Sequence, residues 1–298
     1  YVGKEDSFRH SKWLSFMEPR LRLARELLKD TGIIIVAIDD NEQAHLRLLM
    51  DEVFGERNFI ANVIWQGGRK NDSRFVSVGH DYMLIYAKSM TTLGERDIRW
   101  REEKPGVHEV LAAGARFWDE SGHDEVEATR LMKAWMKANK SRFAVGLGMY
   151  DKVDARGVFR GDNISWPGGG GPTYDVLHPV TGKPVKKPSG GWRISEDVMR
   201  QWIEEGRVYF GADENRVPET KRYLHETSSE VAKSVFEVDR ASAARQLAKV
   251  FPGDEKRFKF PKDTSVISRW VGIATQNNPN AVILDFFGGS GSTLHAVL

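Results

Sequence analysis

From residue 11 to residue 30 apolar side chains return every three or four positions, at Trp13, Leu14, Phe16, Met17, Leu21, Leu23, Ala24, Leu27 and Leu28, with Lys and Arg between them. That is the period of an amphipathic helix, and Thr31-Gly32 stops it. Ile33 to Ile38 abandons the period for an unbroken β-branched run, the mark of a strand covered on both faces, and Asp39-Asp40 ends it. A second helix is predicted behind it, with Asp40 and Gln43 spaced as a capping box, Leu46, Leu49, Met50, Val53 and Phe54 on one side, and Gly55 as the stop. Helix, strand and helix in this order predict an α/β fold with a doubly wound sheet. Ile60–Trp65 and Tyr82–Ala87 read as two more strands. The polar loop between them is too short for a crossover helix, so they should run antiparallel.

From about residue 91 the alternation ceases. Ala128–Asn139 reads as a helix, Trp166–Pro172 as a loop whose Gly168–Gly171 run suits a hinge better than a phosphate cradle, and Tyr174–Arg193 as a loop rich in Pro, Gly and Lys. Ser195–Glu205 reads as a capped helix and Arg207–Phe210 as a short strand. The helix–strand grammar returns after residue 255, with a helix at Thr264–Thr275. Ala281–Leu284 then has the apolar character of a buried parallel strand, expected beside Ile33–Ile38, with Asp285 at its end and both strand ends opening on one crevice. Gly288, Gly289 and Gly291 form a turn, and Ser290, Ser292 and Thr293 lead into a helix start. A dinucleotide fingerprint beginning at Gly289 would need glycine where Leu294 stands, and a phosphate-binding P-loop would need Gly-Lys-Ser/Thr. A bare turn without ligand stays open.

Composition narrows the classes. Among 298 residues 29% are charged, yet the net charge is +2, so a nucleic-acid surface has to come from local clustering. Cysteine is absent, which excludes disulfides and thiolate metal sites. The eight histidines are scattered without a His-x-x-x-His pair, and no structural metal is expected. No run is long enough for a membrane helix and the first residues are no signal peptide, so a cytoplasmic protein is the expectation.

Asp285-Phe286-Phe287-Gly288-Gly289-Ser290-Gly291 resembles the S-adenosylmethionine motif of DNA amino-methyltransferases, whose core is Phe-x-Gly-x-Gly. The phrases Phe8 to Met17, Ile38-Asp39-Asp40-Asn41-Glu42, Met50 to Gly55, His80 to Lys88, Tyr174 to Pro184, Gly190-Gly191-Trp192-Arg193 and Phe258 to Leu298 are very similar to the modification subunits of type III restriction systems. The likeness fades between about 93 and 155. It implies an adenine-N6 DNA methyltransferase of the permuted order, with a Rossmann-like sheet split by an inserted target-recognition region. Residues 1–90 would be part of the catalytic half, 91–255 the recognition region, and 256–298 the start of the cofactor half. It further implies S-adenosylmethionine as methyl donor, held by Asp285, Phe287, Gly289, Ser290 and Gly291, double-stranded DNA as substrate, and a restriction subunit and a second modification subunit as partners.

The family's catalytic Asp-Pro-Pro-Tyr occurs nowhere in these residues, so no catalytic residue is assigned. The chain is expected to be a central fragment that transfers no methyl by itself. Trp65 is the candidate for stacking on a flipped base, or else a core tryptophan. Arg69, Lys70, Arg74, Lys183, Lys186, Lys187, Trp192 and Arg193 are the DNA-contact candidates, with an ordinary solvated surface as the alternative. Rival functions are an N4-cytosine methyltransferase and a DNA-binding specificity module without catalysis.

Overall fold

The structure, a computed structural model, describes residues 5–68, 73–143, 146–252, 258 and 260–298. It is a mixed α/β protein. The chain runs through α1 (Arg9–Leu27), β1 (Ile33–Ile38), α2 (Gln43–Phe54), β2 (Phe59–Gln66), β3 (His80–Ala87), α3 (Met90–Glu95) and β4 (Glu102–Glu103). It continues with α4 (Val107–Glu120), α5 (Glu125–Asn139), β5 (Lys152–Asp154), β6 (Gly157–Asn163), α6 (Glu196–Glu204), β7 (Val208–Tyr209), β8 (Glu219–Tyr223) and β9 (Ser229–Glu230). It closes with β10 (Val235–Glu237), α7 (Ala241–Val250), α8 (Thr264–Thr275) and α9 (Ser292–Val297). Two compact units result: Tyr1–Glu102 with Val231–Leu298, and Glu103–Glu230.

The first unit is built on a sheet of order β1-β3-β2-β10. β2 and β3 are antiparallel, as the short connection demands, and β1 also pairs antiparallel with β3, Ile33 opposite Ala87 through Ile38 opposite Tyr82. One face of the sheet packs on α1 and α2 through Met17, Leu21, Leu46, Met50 and Phe54, all nearly or fully buried. The other face packs on α8 through Val63, Trp65, Ile85, Val266 and Trp270. These are the stripes that the helical period marks, so burial follows the pattern directly.

Two boundaries differ from the expectation of 90/91 and 255/256. β10 lies parallel to β2, Val235 opposite Ile64, and it draws residues 231–252 into the first unit. The pairing joins positions far apart in sequence, which local periodicity does not register. The expected strand at 281–285 is also absent. These residues form no strand, β1 ends the sheet with its outer edge unpaired among the described residues, and Val282 and Leu284 are 87% and 60% exposed. A strand of this apolar character is stable where both faces are covered, and the described residues leave Val282 and Leu284 in solvent.

The second unit has its own sheet of order β5-β6-β8-β7. α4 and α5 pack on it through Val110, Phe117, Ala128, Met132, Val153 and Val158. A second cluster gathers Ile164, Val176, Val185, Trp192, Met199 and Val208 around α6 and its preceding loops.

The start of α8 carries a buried acid with a measurable signature. Asp263, 1% exposed, accepts from the Ser265 backbone N–H at 2.8 Å and from the Ser242 hydroxyl. Burial alone would raise its pKa, but hydrogen bonds from Ser242, Ser265 and the Val266 backbone outweigh it and hold the carboxyl below its ordinary value. The folded pKa lies below the unfolded one, so this stabilisation is complete above about pH 4 and is lost as pH falls through the folded value. Asp263→Asn is expected to cost about 1–2 kcal/mol at pH 7 and to flatten the acid limb of stability. Urea midpoints measured from pH 7 to pH 3 check this, and parallel curves for both proteins would contradict it.

Candidate functional site

β1, β2 and β10 point the same way and β3 runs against them. The carboxyl ends of three strands and the amino end of β3 therefore line one edge of the sheet, the edge at which open α/β sheets bind ligands. The sequence concentrates polar groups there. Asp39 accepts from the Asn41 backbone N–H at 3.0 Å and from its side-chain amide at 2.9 Å, closing the turn that leads into α2. Asp40, expected to cap that helix, does not: α2 starts at Gln43, its N-cap position is Glu42, and no side chain caps it. Asp40 lies 4.0 Å from His80 Nε2, and the His80 ring nitrogen is 2.9 Å from the Tyr82 hydroxyl. A hydrogen bond to Asp40, reinforced by burial, holds the Tyr82 phenol protonated above its ordinary range.

On the opposite face of β3, the one that packs on α8, Asp81 is buried, 7% exposed, and is bound by Arg240 at 2.8 Å and Lys262 at 3.0 Å. Two cations on one carboxylate satisfy the charge that burial would otherwise make costly. The neck of the β2–β3 hairpin closes against the end of β10. A Cβ on Gly67 would lie 2.6 Å from the Val238 carbonyl oxygen, so only glycine fits there. Gln66, Gly67, Gly68, Glu237, Val238 and Asp239 line a pocket of about 240 Å3 at this place. The edge thus offers carboxylates, an imidazole and a phenol as acceptors and donors for a polar heterocycle. Asp81, Arg240 and Lys262 escape a reading of sequence because they come from three separate segments; an acid inside the apolar run of β3 is the signal that points to them.

The glycine turn follows residues 281–285. Asp285 accepts from the Phe287 backbone N–H at 2.9 Å, Gly291 donates to the Gly288 carbonyl at 2.7 Å, and the hydroxyls of Ser290 and Ser292 are 2.8 Å apart. Gly289 and Gly291 have φ of +50° and +75°, which L side chains rarely adopt. A Cβ on Gly288 or Gly291 would meet nothing within 4 Å, so the backbone is open on that side to a ligand's approach. Phe287 rests 6.0 Å from Phe16 of α1, ring centre to ring centre. The residues fit a nucleoside ligand such as S-adenosylmethionine: an acid, an aromatic ring and an uncovered glycine backbone lie next to one another.

The nucleic-acid candidates divide. Arg69 and Lys70 lie outside the described residues. Arg74 is exposed, its guanidinium 5.4 Å from the Phe75 ring centre. Trp65 is no stacking platform here: it is 2% exposed, donates its indole N–H to Val238 at 2.9 Å, and packs against Phe236. Trp192, 0% exposed, is likewise a core residue and not a surface contact, with its N–H on the Tyr174 carbonyl at 2.8 Å. Lys183 is bound to Glu214 at 3.1 Å and Lys187 to Asp175 at 2.7 Å, which neutralises half of the expected basic run. Lys186 and Arg193 are exposed and make no ion pair among the described residues.

A family model described as DNA methylase matches residues 1–298. The type III restriction-modification enzyme EcoP15I Mod subunit of Escherichia coli is 32% identical over 290 residues, 97% of this chain and 44% of that protein. The StyLTI Mod subunit of Salmonella typhimurium is 32% identical over 294 residues, 97% of this chain and 38% of that protein. The type II methyltransferase M.KpnI of Klebsiella pneumoniae is 30% identical over 317 residues, 96% of this chain and 63% of that protein. The chain therefore spans less than half the length of the two Mod subunits. Among the described residues no helix is long and apolar enough to cross a membrane.

Proposed function

The chain belongs to the DNA methylase family, and from that premise we propose that it is the sheet-and-recognition portion of an adenine-N6 DNA methyltransferase, the modification subunit of a type III restriction-modification system. The observation that carries this reading is the similarity to Mod subunits along 97% of the chain. S-adenosylmethionine supplies an electrophilic sulfonium methyl when bound. Asp285, Phe287, Gly289, Ser290 and Gly291 hold it, with Phe287 offering a ring face and the glycines close backbone approach. The outer edge of β1, unpaired among the described residues, could accept a further strand, and pairing there would extend the sheet towards a doubly wound one.

The exocyclic amine of adenine is a weak nucleophile because its lone pair is delocalised into the ring. Acceptors must hold it in line with the methyl, and the base has to leave the duplex to reach them. Asp-Pro-Pro-Tyr, the family's acceptor motif, is not among these residues. The polar edge at Asp40, His80 and Tyr82 would shape the wall of the same crevice. Residues of the second unit read the target, with Lys186 and Arg193 on phosphate. Double-stranded DNA is the substrate, and a restriction subunit and a second copy are the partners, in the cytoplasm.

The test is to incubate the full-length protein with labelled S-adenosylmethionine and mixed-sequence duplex DNA, digest the DNA, and separate the nucleosides. N6-methyladenine is the expected product; N4-methylcytosine or no incorporation refutes the reading. Lys186→Glu with Arg193→Glu in that protein is expected to weaken DNA binding at every sequence and to reduce the slope of log K against log salt by about two, one phosphate contact for each residue. Lys187→Glu is expected to do less, since Asp175 already neutralises it. An unchanged slope in the double variant would assign both cations to plain surface.

A further inference from the structure

His10, Glu42 and His45 come together where α1 begins and α2 begins. His10 Nδ1 is 2.8 Å from Glu42 Oε1, His45 Nδ1 is 3.5 Å from Glu42 Oε2, and the two imidazoles stack with centres 4.4 Å apart. One ligand atom from each residue can be chosen so that all lie within 4.8 Å of one another. Glu42 Oε2 and His45 Nδ1 are both buried and make no hydrogen bond. A buried polar atom without a partner is unfavourable, and here two such atoms face each other at 3.5 Å without forming a hydrogen bond. A cation between them removes both defects at once.

We propose that His10, Glu42 and His45 form a binding site for a divalent first-row transition-metal ion, with Zn2+ as the chemical type. Two imidazole nitrogens and a carboxylate oxygen are the donor set of zinc and its neighbours. Ca2+ and Mg2+ favour oxygen-only sets and are poor fits. Glu42 and His45 are three apart at the start of α2, a spacing that puts a carboxylate and an imidazole on one side of a helix. The packing of α1 on α2 through Met17, Leu21, Leu46 and Met50 brings His10 to them. Without metal, His10 Nδ1 holds Glu42 while Nε2 accepts from Arg9 at 3.1 Å. Binding shifts the imidazole proton from Nδ1 to Nε2, Arg9 releases that nitrogen, and water completes the coordination. The Glu-x-x-His spacing is legible in the sequence, yet a search for paired histidines passes it by, because the second histidine is supplied by another helix. The site stands independently of the proposed methyl transfer.

Co2+ is the probe. Added to chelator-treated full-length protein, it is expected to bind at one equivalent with the visible absorption of a four- or five-coordinate ion, and Zn2+ is expected to displace it. His45→Ala leaves the His10–Glu42 pair in place and is expected to weaken Co2+ binding by about 100-fold or more, with an unchanged circular dichroism spectrum. Zn2+ should raise the melting temperature of the parent protein and not that of His45→Ala or Glu42→Gln. Equal Co2+ binding by the parent and a His10→Ala, His45→Ala double variant overturns the proposal. So does the absence of a one-equivalent event in the parent protein competing against a chromophoric chelator, a measurement that needs no variant to fold.

Discussion

Gly291→Val in the full-length protein is expected to weaken S-adenosylmethionine binding at least about 100-fold, or about 2.7 kcal/mol, while the protein stays folded. Gly291 has φ of +75°, where valine is strained by about 1–2 kcal/mol. Beyond its chain neighbours, no heavy atom of the described residues lies within 4 Å of the position its Cβ would take, so the Cβ itself meets no steric block from the fold. The strain either re-forms the turn or leaves a branched side chain on the open side of the glycine backbone, and each outcome excludes a ligand that needs close approach. Gly289→Val differs in kind, because its Cβ would lie 3.1 Å from the Phe258 ring and the turn would also lose its packing. Calorimetric titration of the cofactor into both variants checks the prediction, with a urea melt as control. Parent-like affinity in a folded Gly291→Val protein would mean that this is a bare βα turn and that the cofactor lies elsewhere.

Trp192→Ala is expected to destabilise the second unit by about 3–5 kcal/mol, the cost of emptying a fully buried indole site, against a typical total of about 5–15 kcal/mol. The ring is 0% exposed, stacks on Tyr174 at 5.7 Å, and sits among Ile164, Val176, Val185 and Met199. Its indole N–H holds the Tyr174 carbonyl, and its backbone N–H holds the Pro172 carbonyl at 2.7 Å. Gly191 beside it has φ of +81°, and a Cβ there would lie 2.3 Å from the Gly171 carbonyl oxygen, so the two loops meet backbone to backbone. Truncating the indole releases both loops and with them the support for Lys186 and Arg193. Trp192→Phe should keep much of the stability and of the DNA affinity. An unchanged urea midpoint together with weakened DNA binding would return the indole to the interface.

Local elements were legible because their causes are local. Apolar residues at the period of a helix mark α1, α2 and α8, the β-branched run marks β1, and Ser195 caps α6, its hydroxyl oxygen 3.5 Å from the Val198 N–H. The short polar connection makes β2 and β3 antiparallel by chain length alone. The glycines at 289 and 291 do adopt positive φ. Family membership was equally legible, since it rests on phrases of sequence and not on geometry.

What the sequence determined by itself, then, is the type of α1, α2, α6, α8 and the first three strands, the antiparallel hairpin, the glycine turn and the family, but not the setting of residues 281–285. Tertiary structure alone decided which aromatic rings are core, which cations are already paired, and where the first unit takes up residues 231–252. Composition cannot separate a tryptophan that stacks on a base from one whose faces are taken, and only the placement of Phe236 and Tyr174 settles Trp65 and Trp192 as core. Likewise Asp175 and Glu214 neutralise Lys187 and Lys183 from positions 12 and 31 residues away along the chain. His10 is joined to Glu42 and His45, and Asp81 to Arg240 and Lys262, only by packing of helix on helix and helix on sheet. The physical reason is one of range: periodicity, capping and turn chemistry act within a few residues, whereas burial and charge pairing depend on partners that only the folded chain brings near.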